Sequence, residues 1–191
     1  MRYFGQKSVV AKFAKVFNAL WYMSFLTLAL NLYSLVSSLV NPDFLDYASA
    51  HITLSSGLTL KIAPEHTNPA NGRLLLILAI LGFIATPVSM FIIYQLRGLF
   101  QAFARKQLLT QENAKRIRLI GSATVVTWVF SLVADVVGRH YTINAVTIPG
   151  VELTGVFVPD YWMLFLGIIV LVIAEIHKMA AETSEESKLT V

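Results

Sequence analysis

Residues 97–118 read RGLFQAFARKQLLTQENAKRIR, a segment with six basic residues and one acidic residue. Long apolar runs lie on both sides of this segment. Because arginine and lysine are retained on the cytoplasmic side of a bilayer, the segment predicts how the chain is oriented in a membrane. We therefore interpret residues 97–118 as a cytoplasmic hinge between two transmembrane helices.

The two halves of the hinge carry the signals of two successive helices. Four apolar residues recur at the spacing of one helical face, namely Leu96, Leu99, Phe100 and Phe103. This spacing predicts an amphipathic helix in the first half of the hinge. Thr110 is a candidate N-cap for the next helix, and Glu112 in the following turn suits the positive end of a helix dipole.

The composition excludes most classes of soluble protein. The 191 residues are 56% hydrophobic and 14% charged, with a positive mean hydropathy, which is typical of a membrane protein. The chain has no cysteine, so it offers no disulfide, thiolate metal site or cysteine nucleophile. The formal charge of +4 does not indicate nucleic-acid binding, because the basic residues lie at the ends of apolar runs.

Four apolar runs predict an all-α integral membrane protein that forms one domain over residues 1–191. The predicted transmembrane helices cover about 16–40, 74–96, 119–137 and 161–179. The first run would extend ~37 Å as a helix, enough to cross a hydrocarbon core of ~30 Å. That length favours a retained span over a cleavable signal peptide. Pro87 in the second run predicts a kink.

Two outer segments, 41–72 and 139–160, separate these runs and carry β-hairpin signals. In the first, apolar and polar residues alternate on both sides of Ser55-Ser56-Gly57. In the second, the β-branched stretches 141–148 and 151–158 flank the turn dipeptide Pro149-Gly150. We expect a short hairpin in each segment.

The distribution of basic residues predicts that both termini are cytoplasmic. Twelve of the fifteen lie in the N-terminal region, the hinge, the end of the fourth run and the tail 180–191. The other three, Lys61, Arg73 and Arg139, lie within the outer segments or next to them, on the other side of the membrane. A bias of this size fixes the orientation of most multi-pass proteins.

Charged residues near the membrane are the candidate functional groups. Asp135 and Glu175 are the acids closest to the hydrocarbon, so they are candidates for a proton or ion role, with a structural or interfacial role as the alternative. The tail acids are complementary in charge to the hinge, which predicts docking of the tail on the hinge or on a partner. The residues concerned are Arg105, Lys106, Lys115, Arg116, Glu185 and Glu186.

Enzyme chemistry is not indicated. The chain lacks a nucleophile elbow, a phosphate-binding glycine loop and a His-Glu-x-x-His motif. The outer histidines His51, His66 and His140 show no metal-ligand spacing. We therefore predict no catalytic, cofactor-binding or metal-binding residues.

The hinge and tail resemble a bacterial family of four-span membrane proteins, domain of unknown function 2975. The matching motifs are Leu99-Phe100, Thr110-Gln111-Glu112-Asn113, Arg118-Leu119-Ile120-Gly121, Ala174-Glu175, Glu185-Glu186 and Leu189-Thr190-Val191. The chain departs from the family pattern where it has Lys106 for a glycine, Leu109 for a phenylalanine, Ala180 for a glycine and Lys188 for an aspartate. The resemblance implies a four-helix protein of the bacterial plasma (inner) membrane that is frequently paired with a small helix-turn-helix regulator.

Two functions fit these features. The first is a sensor or regulatory module that signals from the lipid bilayer to a cytoplasmic partner. The alternative is a small transporter or channel component, which would be a homo-oligomer because four spans seldom enclose a pore alone. The spans contain few polar residues that could line a path, which favours the first function.

Overall fold

Four long helices make up most of the residues that the structure, a computed structural model, describes: 9–40, 51–53, 59–61, 71–145 and 159–189. In chain order the elements are α1 (Val9–Val40), β1 (His51–Thr53), β2 (Thr59–Lys61), α2 (Asn71–Ala104), α3 (Gln111–Ala145) and α4 (Trp162–Leu189). The prediction of four long helices is confirmed. The helices are longer than the predicted spans, and most of the extra length lies at the hinge and in the tail.

Each helix contains a segment that is long and apolar enough to cross a membrane. These segments are Val9–Ser37, Ala79–Ala104, Gln111–His140 and Trp162–Glu186. Many large apolar side chains on them face outward; Trp162, for example, is 77% exposed and Tyr33 is 65% exposed. Outward apolar surface of this extent is unfavourable in water and favourable in lipid. The helices therefore indicate a multi-pass membrane protein.

The predicted β-hairpins of the outer segments are not supported. In the first segment, β1 and β2 form an antiparallel pair of three residues each, with Ile52 opposite Leu60. A two-stranded pair on its own is at best marginally stable in water, and residues 54–58, between the two strands, lie outside the described part of the chain. The prediction of two hairpin-containing segments thus goes beyond what the structure describes.

The prediction of a strand over 141–148 is wrong for residues 141–145, because α3 continues as a helix to Ala145. Each β-branched residue in a helix costs at most about 0.7 kcal/mol relative to alanine, so a few of them do not end a helix that is already formed. The next strong helix breaker is Pro149. Residues 151–158, the second predicted strand, lie outside the described residues.

The chain forms two compact units, each built from several segments. Unit 1 comprises Met1–Leu28, Ala85–Val129 and Asp160–Val191, and unit 2 comprises Ala29–Ile84 and Phe130–Pro159. Unit 2 contains the β1–β2 pair and helical segments with exposed apolar residues such as Val40 and Val136. Unit 1 contains the hinge and all of α4.

The core of unit 1 lies where α2, α3 and α4 meet beside the hinge. Its buried apolar residues are Leu99 on α2, Ile117 and Ile120 on α3, and Ala174 on α4. Leu96 and Phe103 pack against this cluster, and Phe100 stacks on Phe13 and Phe17 of α1 with ring centroids 5.7 and 4.9 Å apart. The predicted apolar face of the first half of the hinge is therefore confirmed.

Two glycines allow α3 and α4 to approach closely within unit 1. A methyl group built on Gly121 of α3 would lie 2.9 Å from Leu171 Cγ and 3.0 Å from the Leu171 backbone nitrogen. One built on Gly167 of α4 would lie 2.7 Å from Val125 Cγ2. Close approach at small residues is how helices associate in lipid, where the hydrophobic effect does not drive helices together.

Candidate functional site

The connection between α2 and α3 is shorter than the predicted hinge. Residues 105–110, called the hinge turn below, link Ala104 to Gln111, and the rest of 97–118 is helical. Arg105, Lys106 and Gln107 are exposed, so the turn presents charge at the surface of unit 1.

Lys106 ends α2 in a left-handed backbone conformation, with φ of 64°. Its N–H donates to the Phe103 carbonyl and the Gln107 N–H donates to the Ala102 carbonyl, both at 3.0 Å. This is the Schellman pattern, in which a left-handed residue satisfies the last carbonyls of a helix. Glycine favours the conformation because it has no Cβ, so a lysine here is strained.

Replacing Lys106 by glycine is expected to raise the free energy of unfolding by about 0.5–1 kcal/mol, because relief of the left-handed strain exceeds the added entropy of the unfolded chain. Lys106→Ala keeps the Cβ and serves as the matched control, with a change within about 0.5 kcal/mol. Unfolding of detergent-solubilised protein by SDS, followed by circular dichroism, measures both. A lower stability of Lys106→Gly would show that the left-handed backbone at Lys106 is not strained.

Thr110 caps the start of α3, as predicted. Its hydroxyl accepts a hydrogen bond from the Asn113 N–H at 3.2 Å, and its carbonyl accepts one from the Ala114 N–H at 3.1 Å. Glu112 lies in the first turn, where a negative charge is favourable. These interactions fix the start of α3 directly after the hinge turn.

Asn113 holds the hinge turn from inside. Its side chain is almost completely buried, and its Nδ2 donates to the carbonyls of Gln107 at 2.6 Å and Leu108 at 3.1 Å. Both carbonyls belong to the turn and have no partner within a helix. One amide therefore satisfies two backbone acceptors that would otherwise be costly to bury.

His177 connects α4 to the same turn. Its Nε2 lies 2.9 Å from the Leu108 carbonyl oxygen, across a sequence separation of 69 residues. A carbonyl oxygen can only accept, so Nε2 carries the hydrogen in this contact. The imidazole ring also lies 6.5 Å from the ring of Phe103, centroid to centroid. The Leu108 carbonyl thus accepts from α3 and from α4, and a displacement of α4 changes a hydrogen bond of the turn.

The side chain of Arg116 lies across the contact between α2 and α3 beside the hinge turn. Its Nη2 donates to Glu112 Oε1 at 2.5 Å, and its guanidinium lies so close to Gly98 of α2 that any Cβ there would overlap it. Arg116 and Glu112 line a polar cleft between α2 and α3, together with Gly98, Gln101, Ala102, Arg105, Gln107, Thr110 and Asn113. Glycine at position 98 is therefore required for the arginine to lie across the two helices.

The acids of α4 form ion pairs within their own helix. Lys178 Nζ lies 3.6 Å from Glu175 Oε1 and 3.9 Å from Glu182 Oε1. Glu185 and Glu186, on the next turn, are exposed. Surface ion pairs of this kind are worth only about 0–1 kcal/mol, so a charged partner can displace them.

Three of the predicted site residues, Glu175, Glu185 and Glu186, lie on α4, and the other five lie in two places. Arg105, Lys106, Lys115 and Arg116 gather at the hinge turn and the start of α3, beside the α4 residue His177. Asp135 is exposed on the part of α3 that belongs to unit 2, so it is not part of the hinge site. Among the described residues, no three His, Asp or Glu side chains are grouped to hold a metal ion.

Sequence patterns indicated the charges of this site but not the groups that hold it together. Asn113 was visible only as part of a motif, and His177 only as one polar residue near the end of an apolar run. The signal that could have identified them is the burial of polar side chains beside a connection of only six residues. Gly121 was likewise visible only as part of a motif, and Gly98 and Gly167 carry no signal of their own in a single sequence.

Comparison with known proteins identifies one match. The model of a family described as protein of unknown function (DUF2975) matches residues 59–191. This range includes α2, the hinge turn, α3 and α4, and it confirms the resemblance drawn from the hinge and tail motifs. No curated protein and no solved structure gives a significant match.

Proposed function

The chain belongs to the DUF2975 family, and from the geometry of its hinge we propose that it is a membrane-embedded sensor or regulatory module that signals to a cytoplasmic partner. The observation that carries the proposal is the contact between His177 of α4 and the Leu108 carbonyl of the hinge turn. Because the exposed basic turn joins α2 to α3 and contacts α4 through His177, a movement of any of these three helices affects the turn.

The family pattern supports the hinge as the functional element. The position that carries glycine in the pattern is Lys106, which adopts the left-handed conformation here. The threonine of the pattern is the N-cap Thr110, and its asparagine is the buried Asn113. The pattern therefore describes a turn of defined shape, and such a turn presents Lys106 and the nearby Lys115 in fixed positions.

The proposed signalling path runs from the bilayer to the hinge turn. The outward apolar faces of the helices meet lipid, so a change in the bilayer or in an outer segment displaces α4 relative to α2 and α3. Displacement of His177 by about 1 Å weakens its hydrogen bond to Leu108, because such bonds weaken steeply with distance and angle. The conformation of the turn, and with it the position of the Lys106 and Lys115 side chains that the partner contacts, then changes.

The partner in this proposal is a soluble protein with an acidic docking surface, and the resemblance points to a small helix-turn-helix regulator. Lys106 and Lys115 are exposed and project from the turn and from the first turns of α3. The tail, with Glu185 and Glu186, competes with the partner for these cations. The membrane is the bacterial plasma membrane, with the hinge and both termini on its cytoplasmic side.

Crosslinking in intact cells, followed by capture of the protein and identification of its partners, tests the function. Lys106→Glu/Lys115→Glu is expected to reduce capture of a regulator by about tenfold, because reversed charges repel an acidic surface. The matched control, Lys12→Glu/Lys15→Glu, changes the same charge on α1 and should leave capture unaltered. Deletion of residues 183–191 should increase capture while the protein folds normally, because this deletion spares the buried Ala181.

The orientation is checked in the same cells with single cysteines and an impermeant thiol reagent. Cysteines at Ser56 and Thr147 should react from outside, whereas one at Gln107 should not. Labelling at Gln107 alone would reverse the orientation. Equal capture by the hinge variant, the α1 control and the truncated protein would disprove the regulatory function.

A further inference from the structure

One continuous face of α2 and α3 changes from apolar to basic along its length. At its apolar end, Pro87 and Phe91 of α2 lie across a shallow groove from Leu119, Ser122 and Val126 of α3. Pro87, Phe91, Ser122 and Val126 are all exposed, so the groove opens to the surroundings of unit 1. An open apolar groove on a helix pair of this kind accommodates a hydrocarbon chain.

The basic end of the face is the cleft beside the hinge turn. Phe91 and Gly98 lie seven residues apart on α2, and Arg105 follows seven residues later, directly after the end of the helix. Glu112, Arg116 and Leu119 recur every three or four residues on α3. Residues at these spacings lie on one side of a helix. The apolar groove therefore leads directly into the polar cleft, with Leu119 lining the first and Arg116 the second.

The length of this face matches one leaflet of a bilayer. Eleven residues separate Pro87 from Gly98, which is ~16 Å along a helix. Half of a hydrocarbon core of ~30 Å is ~15 Å. When the hinge lies at the membrane surface, the groove follows an acyl chain and the cleft lies at the level of the phosphate.

The cleft carries donors suited to a phosphate. Arg116 uses Nη2 for Glu112 and keeps further N–H groups in its planar guanidinium, which can bind phosphate through two parallel hydrogen bonds. Arg105 and the hydroxyl-bearing Thr110 lie on the rim of the same cleft. Arg105 also lines the adjoining groove between α1 and α2, so its side chain is accessible from both sides.

We propose that the α2–α3 face binds an anionic phospholipid, with an acyl chain in the groove at Pro87 and Val126 and the phosphate at Arg105 and Arg116. The inference rests on the proposed function only in placing the hinge at a membrane surface. A bound lipid joins α2 to α3 outside the hinge turn and competes with Glu112 for Arg116. The lipid composition of the membrane thereby becomes a signal that the hinge registers.

Native mass spectrometry of the full-length protein in detergent tests the site with palmitoyl-oleoyl phosphatidylglycerol, the matching phosphatidylcholine and inorganic phosphate as probes. Phosphatidylglycerol should be retained about tenfold more than phosphatidylcholine. Arg105→Gln/Arg116→Gln should abolish this preference. Lys12→Gln/Lys15→Gln removes the same charge from α1 outside the cleft and should change retention by less than about twofold.

A second pair of variants tests the groove without changing charge. Ser122→Phe fills the groove and is expected to reduce retention of phosphatidylglycerol, whereas Val129→Phe, at an exposed position outside it, is the matched control. If the double arginine variant does not fold, Arg105→Gln alone replaces it, because Arg105 is exposed.

Three results would overturn the proposal. The first is equal loss of lipid in both charge variants, and the second is equal retention of the two lipids by the unchanged protein. The third is displacement of the lipid by millimolar phosphate together with no effect of Ser122→Phe, which would indicate a site for free anions. None of these results bears on the capture of a cytoplasmic partner, which is measured with Lys106 and Lys115. The lipid site and the regulatory function can therefore fail separately.

Discussion

Replacing Gly121 by leucine is expected to destabilise the protein by about 3 kcal/mol, the upper end of the usual cost of overpacking, because the added side chain meets backbone as well as side-chain atoms. The first added carbon would already lie 2.9 Å from Leu171 Cγ and 3.0 Å from the Leu171 backbone nitrogen. A backbone atom cannot be moved aside by a rotamer change. The two helices must separate, and the packing of Ala174 beside them is lost as well.

Gly82 offers a matched control, since a methyl group built there meets nothing within 4 Å. Gly82→Leu should be neutral or stabilise by up to about 1 kcal/mol, because leucine is the better helix former. Gly121→Ala should lie between the two. SDS-induced unfolding in mixed micelles measures all three variants, and similar stabilities of Gly121→Leu and Gly82→Leu would show that α3 and α4 do not pack closely.

Replacing Asn113 by aspartate is expected to destabilise the protein by about 3 kcal/mol, more than replacement by alanine. Aspartate has nearly the same shape, but its carboxylate has only acceptors, and they would face the carbonyls of Gln107 and Leu108. Alanine merely removes the donor and leaves a small cavity. A hinge held by this amide should therefore tolerate Asn113→Ala better than Asn113→Asp.

A double-mutant cycle with His177→Ala shows whether α3 and α4 act on the same atom. Asn113→Ala or His177→Ala alone leaves the Leu108 carbonyl with one hydrogen-bond donor, whereas the double variant leaves it with none. The double variant should lose about 1 kcal/mol more than the two single losses together. Simple additivity would show that the two contacts are independent. Greater stability of Asn113→Asp than of Asn113→Ala would contradict the geometry of the turn.

Local sequence signals predict the helices and the position of the hinge. The length of an apolar run, the placement of basic residues and the N-cap Thr110 are local signals, and each one acts within a few turns of one helix. For this reason four long helices, the apolar face that includes Leu99 and the start of α3 were all predicted. The family was recognised from the same local motifs.

Local reasoning failed at the end of α3. The β-branched residues after His140 favour a strand in isolation, but a helix that already contains many hydrogen-bonded turns continues through them at a small cost for each residue. The strand preference of these residues is outweighed by the cooperativity of the preceding helix. Residues 141–148 alone give no information about that cooperativity.

The contacts that stabilise the hinge turn depend on how the helices pack. The left-handed conformation falls on Lys106, where glycine would be usual, and the burial of Asn113 and the contact of His177 with Leu108 arise only where α3 and α4 pack against the turn. The same is true of the contact between Gly121 and Leu171 and of the face that runs from Pro87 to Arg105. Sequence periodicity shows which side of a helix is apolar, but in lipid every side can be apolar. The choice of neighbours therefore depends on small residues and single hydrogen bonds, whose effect appears only when the helices are packed.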